Sequence, residues 1–175
     1  MNCFHTIVAV SLAWSVSFED GKRDREIKKE MASLTGTWQV VSVKAPEGTE
    51  SLEDLKKQGY TLEFKGSNLT IKTIDRTNKD IFSIDPSKMP KTIDILSDVT
   101  EEKIKQTKYY GIYKLEGDKL TICYNTDYFP RPTDFAGPSK SKPNRSATEV
   151  LTFKRVPVRK KCRSEKNVRK ERHGP

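Results

Sequence analysis

Side chains able to do chemistry are few in this sequence, and they are scattered. The two histidines, His5 and His173, stand at opposite ends of the chain. A histidine-based catalytic centre in the body is therefore excluded, and no catalytic residue is assigned. Cys3, Cys123 and Cys162 form no CxxC and no Cys/His cluster, so no metal ligand set is expected. A Cys123–Cys162 disulfide stays open for an oxidising compartment, although it would tie a tail to a strand. No glycine-rich phosphate loop or nucleophile elbow occurs, and no cofactor is implied. Asp94, Asp118, Asp127 and Asp134 are too dispersed to argue for a paired-carboxylate centre.

Binding chemistry remains. Pro86 and Pro90 flank a short connection that must form a defined corner. Behind it Thr92 and Asp94 alternate with Ile93 and Ile95, so the polar pair shares one strand face. That face either meets water or brings Lys91 and Asp94 to a barrel mouth, against a ligand. Arg131 opens Arg131-Pro132-Thr133-Asp134-Phe135, inside a proline-rich stretch from Thr126 to Ser146. Such loops at barrel mouths serve as lids or binding loops. Arg131 can latch onto Asp94, or grip a carboxylate or phosphate with both guanidinium nitrogens. Tyr113 and Tyr124 fall on an inward face and can line a cavity. A hydrolase-like reading of Asp94, Lys91 and Arg131 requires all three within hydrogen-bond reach of one reacting group.

The elements that position these residues are mostly strands. Gly36–Ala45 is rich in β-branched residues. Glu50–Gln58 reads as a short helix: Ser51 caps it, Asp54 follows three later, and Gly59 ends it. Tyr60–Lys65 and Asn68–Ile74 form a hairpin about Gly66-Ser67, with Lys65 facing Asn68 and Phe64 facing Leu69. Its inner face carries Tyr60, Leu62, Phe64, Leu69 and Ile71. Tyr109–Glu116 and Lys119–Asn125 form a second hairpin about Gly117-Asp118, with Glu116 opposite Lys119. Gly111, Tyr113, Leu115, Leu120, Ile122 and Tyr124 share its inner face, and Cys123 points outward. Asp80–Asp85, Lys91–Leu96 and Ala147–Val156 complete about eight strands. An even meander with one early helix predicts an all-β, antiparallel up-and-down barrel with a short helix after the first strand.

Charge and hydropathy divide the ends from this body. Of the 175 residues, 33% are charged and 34% apolar. From Lys154 to Pro175 there are ten basic and two acidic residues; the remainder holds 23 basic and 22 acidic. The basic pI thus belongs to the tail, and the balanced body gives no reason to expect nucleic-acid binding. Residues 157–175 read as a disordered basic tail able to bind acidic polymers. At the other end, Phe4 to Phe18 is an apolar run of signal-peptide length, with small residues Ser15 and Ser17 before a cleavage point. Residues 1–17 are therefore expected to be a signal peptide that leaves no membrane span in the mature chain. Residues 18–33 form a charged lead-in, with Ile27 and Met31 at helical spacing. The domain proper spans 34–156.

Gly36-Thr37-Trp38 on the first strand resembles the G-x-W signature of lipocalins and their calycin relatives. In those proteins a basic residue of the last strand covers the Trp, and Arg155 sits where that partner would stand. Longer strings resemble an uncharacterised lipocalin-like domain family abundant in planctomycete bacteria: Leu34 to Val43, Asp85 to Ile95, Gly111 to Tyr124 and Arg131 to Phe135. The resemblance implies a lipocalin-like barrel and export, and leaves function open. The barrel itself allows an exported protein that binds a small hydrophobic or amphipathic molecule inside, or a filled-barrel interaction module of the cell envelope. Gly36, Trp38, Pro86, Pro90 and Arg155 are then structural, and Tyr113, Tyr124, Lys91, Asp94 and Arg131 are the candidate binding residues.

Overall fold

The computed structural model describes residues 16–46, 48–49, 51–97, 107–126, 129–139 and 147–157. The apolar run before Val16, the basic tail after Pro157, Cys162, Asp127 and Tyr128 lie outside these residues. The elements run α1 (Val16–Leu34), β1 (Gly36–Ala45), β2 (Gly48–Thr49), α2 (Leu52–Gln58), β3 (Thr61–Lys65) and β4 (Asn68–Lys72). They continue β5 (Thr77–Asp85), β6 (Thr92–Ser97), β7 (Lys108–Glu116), β8 (Lys119–Thr126) and β9 (Glu149–Arg155).

Every long strand pairs antiparallel with its neighbour in sequence, and β9 returns to pair with β1. The result is a closed eight-stranded up-and-down barrel; two-residue β2 only turns back on the end of β1. Among the described residues, closure leaves no long strand with an unpaired edge. Both hairpins take the registers their turns dictate, Lys65↔Asn68 and Phe64↔Leu69 in one, Glu116↔Lys119 in the other. Helix α2 starts where Ser51 Oγ accepts from the Asp54 amide at 3.2 Å and stops at Gly59, which takes a left-handed φ of 62°. Its Leu55 is buried in the barrel core.

The lumen is solid over one half. Trp38, Phe64, Phe82, Ile84, Ile93 and Leu120 pack there, with Phe64 and Phe82 edge to face at 4.9 Å. Helix α1 covers that end. The charged lead-in is thus an ordered helix, held through Ile27, Met31 and the fully buried Leu34. Beneath it, the Arg155 guanidinium lies 4.0 Å from the Trp38 ring. Arg155 also donates to the carbonyls of Ser33 (2.6 Å) and Thr35 (2.9 Å) and pairs with Asp118 at 3.2 Å. The Trp38 indole donates to the Leu34 carbonyl at 2.8 Å. Gly36 is required there, because its φ is 126° and a Cβ would stand 3.3 Å from Arg155 Nη1. One arginine therefore ties the first strand, the last strand, a hairpin turn and the end of α1 together.

Outside the barrel lies a second small core. Ile112, Cys123 and Val150 point away from the lumen yet are buried, covered by Phe135. Cys123 keeps the outward direction of its register, and its thiol reaches the Asp134 carbonyl at 3.5 Å. The expectation of a lid at the barrel mouth fails for residues 129–139. They are laid along the outer wall, because β7, β8 and β9 present an outward apolar row that water would otherwise wet.

Candidate functional site

The five candidate binding residues occupy three places. Lys91 and Tyr113 belong to the stoppered end. Lys91 Nζ meets Glu30 of α1 at 2.7 Å and stands 5.9 Å from the Tyr113 ring centroid. Tyr113 is buried, and burial together with the Glu30 charge pushes its phenol far above the usual range. These groups bolt the stopper to the wall. Arg23 adds a second bolt to Asp85 at 3.0 Å. Asp85 also accepts from the Ser87 amide (3.1 Å) and hydroxyl (2.6 Å). The Ser87 bonds, then the nearby Arg23, hold the Asp85 carboxyl below the usual carboxylate range. The Pro86–Pro90 corner is fixed by this turn.

Asp94 and Arg131 meet on the outer wall, as a latch. Arg131 Nη2 lies 2.6 Å from Asp94, and Nη1 donates to the carbonyls of Gly111 (2.6 Å) and Ile93 (3.2 Å). The guanidinium also covers the Tyr110 ring at 5.5 Å. This latch pins the segment after Phe129 to β6 and β7. Next to it an open groove of about 810 Å³ runs between Arg23, the Pro86–Pro90 corner and Thr133. Lys91 is committed to Glu30 of α1, so the three groups of the hydrolase-like reading do not converge as one set of free side chains.

Tyr124 marks the third place, a cup of about 340 Å³ in the open half of the lumen. Its floor is Leu62, Leu69, Ile95, Ile122, Leu151 and Phe153. Around its wall stand Tyr60, Tyr109 and Tyr124, with Asp80, Asn78, Ser97 and Arg76. Tyr109 and Tyr124 meet edge to face at 5.4 Å, and Tyr60 stacks on Phe153 at 6.1 Å. Tyr124 donates to Glu149 at 2.7 Å. Burial first, then the Glu149 charge, raises the Tyr60 and Tyr124 phenols well above the usual range, and Asp80 adds to the effect at Tyr60. The phenols therefore stay neutral at every physiological pH and serve as donors or ring faces.

Asp80, Glu149 and Tyr109 were not among the candidates, although alternation carries the signal. Asp80 shares its strand face with Phe82 and Ile84, and only 6% of it is exposed. Glu149 shares a face with Leu151 and Phe153, and Tyr109 with Gly111 and Tyr113. Among the described residues no cluster of His, Cys, Asp and Glu has the makings of a metal site, and no helix is long and apolar enough to cross a membrane. No family model, no curated protein and no solved structure matches this chain.

Proposed function

We propose that this chain is an exported, lipocalin-like binding protein that holds one small amphipathic molecule in the open half of its barrel. The observation that carries the reading is the division of the lumen. One half is packed solid beneath α1, while the other keeps a cup of about 340 Å³ with an apolar floor and a polar wall. That is the composition of small-molecule sites, apolar area for affinity and a few polar groups for orientation. Eight strands enclose just enough width for one such ligand. The Trp38–Arg155 closure supports the lipocalin-like assignment, and the apolar run from Phe4 to Phe18 supports export.

The test is displacement from the cup. An uncharged fluorescent naphthylamine is expected to bind one per chain with enhanced emission. Ile122→Trp, which fills the cup from its floor, should abolish that signal while the melting curve stays cooperative. Equal binding by wild type and Ile122→Trp would place the probe elsewhere and end the proposal. Export is checked separately: the mature chain recovered from the producing cell should begin at Phe18.

A second reading rests on the tail. With eight basic and two acidic residues over 157–175, a net charge of +6, it would dock the barrel on acidic polymers of the cell envelope. Both readings hold together if the tail anchors and the cup carries.

A further inference from the structure

We infer that the guest of the cup is a compact, uncharged aromatic molecule with one carbonyl oxygen, which accepts a hydrogen bond from the Tyr60 hydroxyl; this rests on the lumen-binding reading above. The starting point is the set of polar groups on the wall. Tyr124 donates to Glu149 at 2.7 Å. The Ser97 hydroxyl donates to the Thr107 carbonyl at 3.2 Å and accepts from the Thr107 amide at 2.9 Å. Asp80 and Tyr109 also have partners within the chain. Tyr60 differs. Its ring packs on Phe153 against the core, and its hydroxyl makes no hydrogen bond with the described residues. Its phenol stays protonated at every physiological pH, so the group is a permanent donor. A guest that fills the cup takes this donor away from water. Unless the guest brings an acceptor, the donor is left unpaired, at the cost of its desolvation.

The charge of the guest follows from Glu149. Its carboxylate stands behind Tyr124, whose neutral phenol satisfies its hydrogen bonding without cancelling its charge. That charge also reaches Tyr60 and helps to hold the proton on its hydroxyl. An anionic acceptor at Tyr60 would be repelled by the same charge, which an uncharged carbonyl escapes. A cation would give up its hydration without gaining an unmet carboxylate, since Asp80 and Glu149 are both engaged. The shape of the guest follows from the rings. Tyr109 and Tyr124 stand at 79° to one another, and Tyr60 and Phe153 at 25° with centroids 6.1 Å apart. Rings in both orientations wall one space, so a flat ring finds edge-to-face and offset-stacked partners together. A volume of about 340 Å³ is at the lower end of the roughly 300–1,000 Å³ of small-molecule sites, which keeps the guest compact.

Probes of similar size separate these demands: acetophenone, ethylbenzene, benzoate and cyclohexyl methyl ketone, each titrated into the full chain and followed by NMR shifts of the Tyr109 and Tyr124 rings. The comparison is with Tyr60→Phe, which keeps the ring. Its melting temperature should match wild type, because the lost hydroxyl bonds to none of the described residues. In Tyr60→Phe acetophenone should lose at least about fivefold in affinity, the equivalent of one hydrogen bond, while ethylbenzene loses nothing. Benzoate should bind more weakly than acetophenone, and so should the non-planar cyclohexyl ketone. Equal changes for acetophenone and ethylbenzene would overturn the Tyr60 bond. Benzoate binding as tightly as acetophenone would overturn the uncharged guest, and the cyclohexyl ketone doing so would overturn the aromatic one. Silence of every probe beside a naphthylamine that still binds would overturn this assignment alone. Silence of the naphthylamine as well would end the lumen-binding reading with it.

Discussion

Arg155 contributes through four contacts, one to a ring, two to carbonyls and one to a carboxylate, and few substitutions can reproduce that set. Lys keeps the charge and loses the planar fork. Arg155→Lys should therefore cost about 1–3 kcal/mol, read as a lower urea midpoint at unchanged slope. Trp38→Ala removes the ring itself from a fully buried position and should cost about 3–5 kcal/mol in the same experiment. Gly111 is constrained differently. A Cβ there would stand 3.0 Å from the Cys123 carbonyl and 3.1 Å from Ile93, so Gly111→Ala should cost about 1–3 kcal/mol by overpacking. Trp38 and Arg155 were legible through the resemblance of Gly36-Thr37-Trp38 to a signature in which a last-strand basic residue covers the Trp, and the closed sheet brings the two together. Asp80 was legible in principle, because it alternates with Phe82 and Ile84 within the strand as read. A carboxylate at an inward position was passed over because its residue type argues for the surface. Tyr113 was placed on the correct face, but a face does not reveal which half of a lumen a residue occupies.

The hairpins and α2 followed from local rules, since turn residues and a Ser51–Asp54 cap act within a few positions of themselves. Elements defined by distant partners were harder to read. Helix α1 is polar over most of its surface, and only contact with the barrel end fixes it. The bulge between Val40 and Ser42 is a second case: it brings Val40 and Val43, three apart, to the same interior, which strict alternation forbids. The wall-covering segment 129–139 is a third, because its partners lie on β7, β8 and β9. The attachment of α1 yields a prediction with a definite sign. Asp85 has its pKa lowered on folding, so its contribution is complete above the ordinary value of 3.8 and fades as pH falls through the lower, folded value. Ser87 is the main cause of that shift and the Arg23 pair to α1 a smaller one, so protonating Asp85 should lower the protection of α1 amides against exchange modestly, ahead of global unfolding. Lys91→Met, which leaves Glu30 without its partner, should lower it at neutral pH as well. If α1 exchanged only together with β1, the helix would be part of one cooperative unit and its ion pairs would be incidental.

At the scale of the whole molecule, a nearly neutral body carries one strongly basic segment. Removing residues 158–175 should leave the melting temperature of the barrel unchanged, because the β1–β9 pairing and the Trp38–Arg155 closure are made by residues up to Val156. The same truncation should abolish binding to a polyanion such as polyglutamate, and in the intact chain that binding should fall steeply with added salt. Polyanion binding that survives truncation would assign it to the barrel surface. The stopper at one end has a further meaning for traffic through the lumen. On the lumen-binding proposal, with α1 closing the far side, a guest would enter and depart by a single doorway, so two guests would exclude one another and none would pass straight through. Residence time would then be governed at that doorway alone, as suits a protein that carries a cargo and does not conduct it.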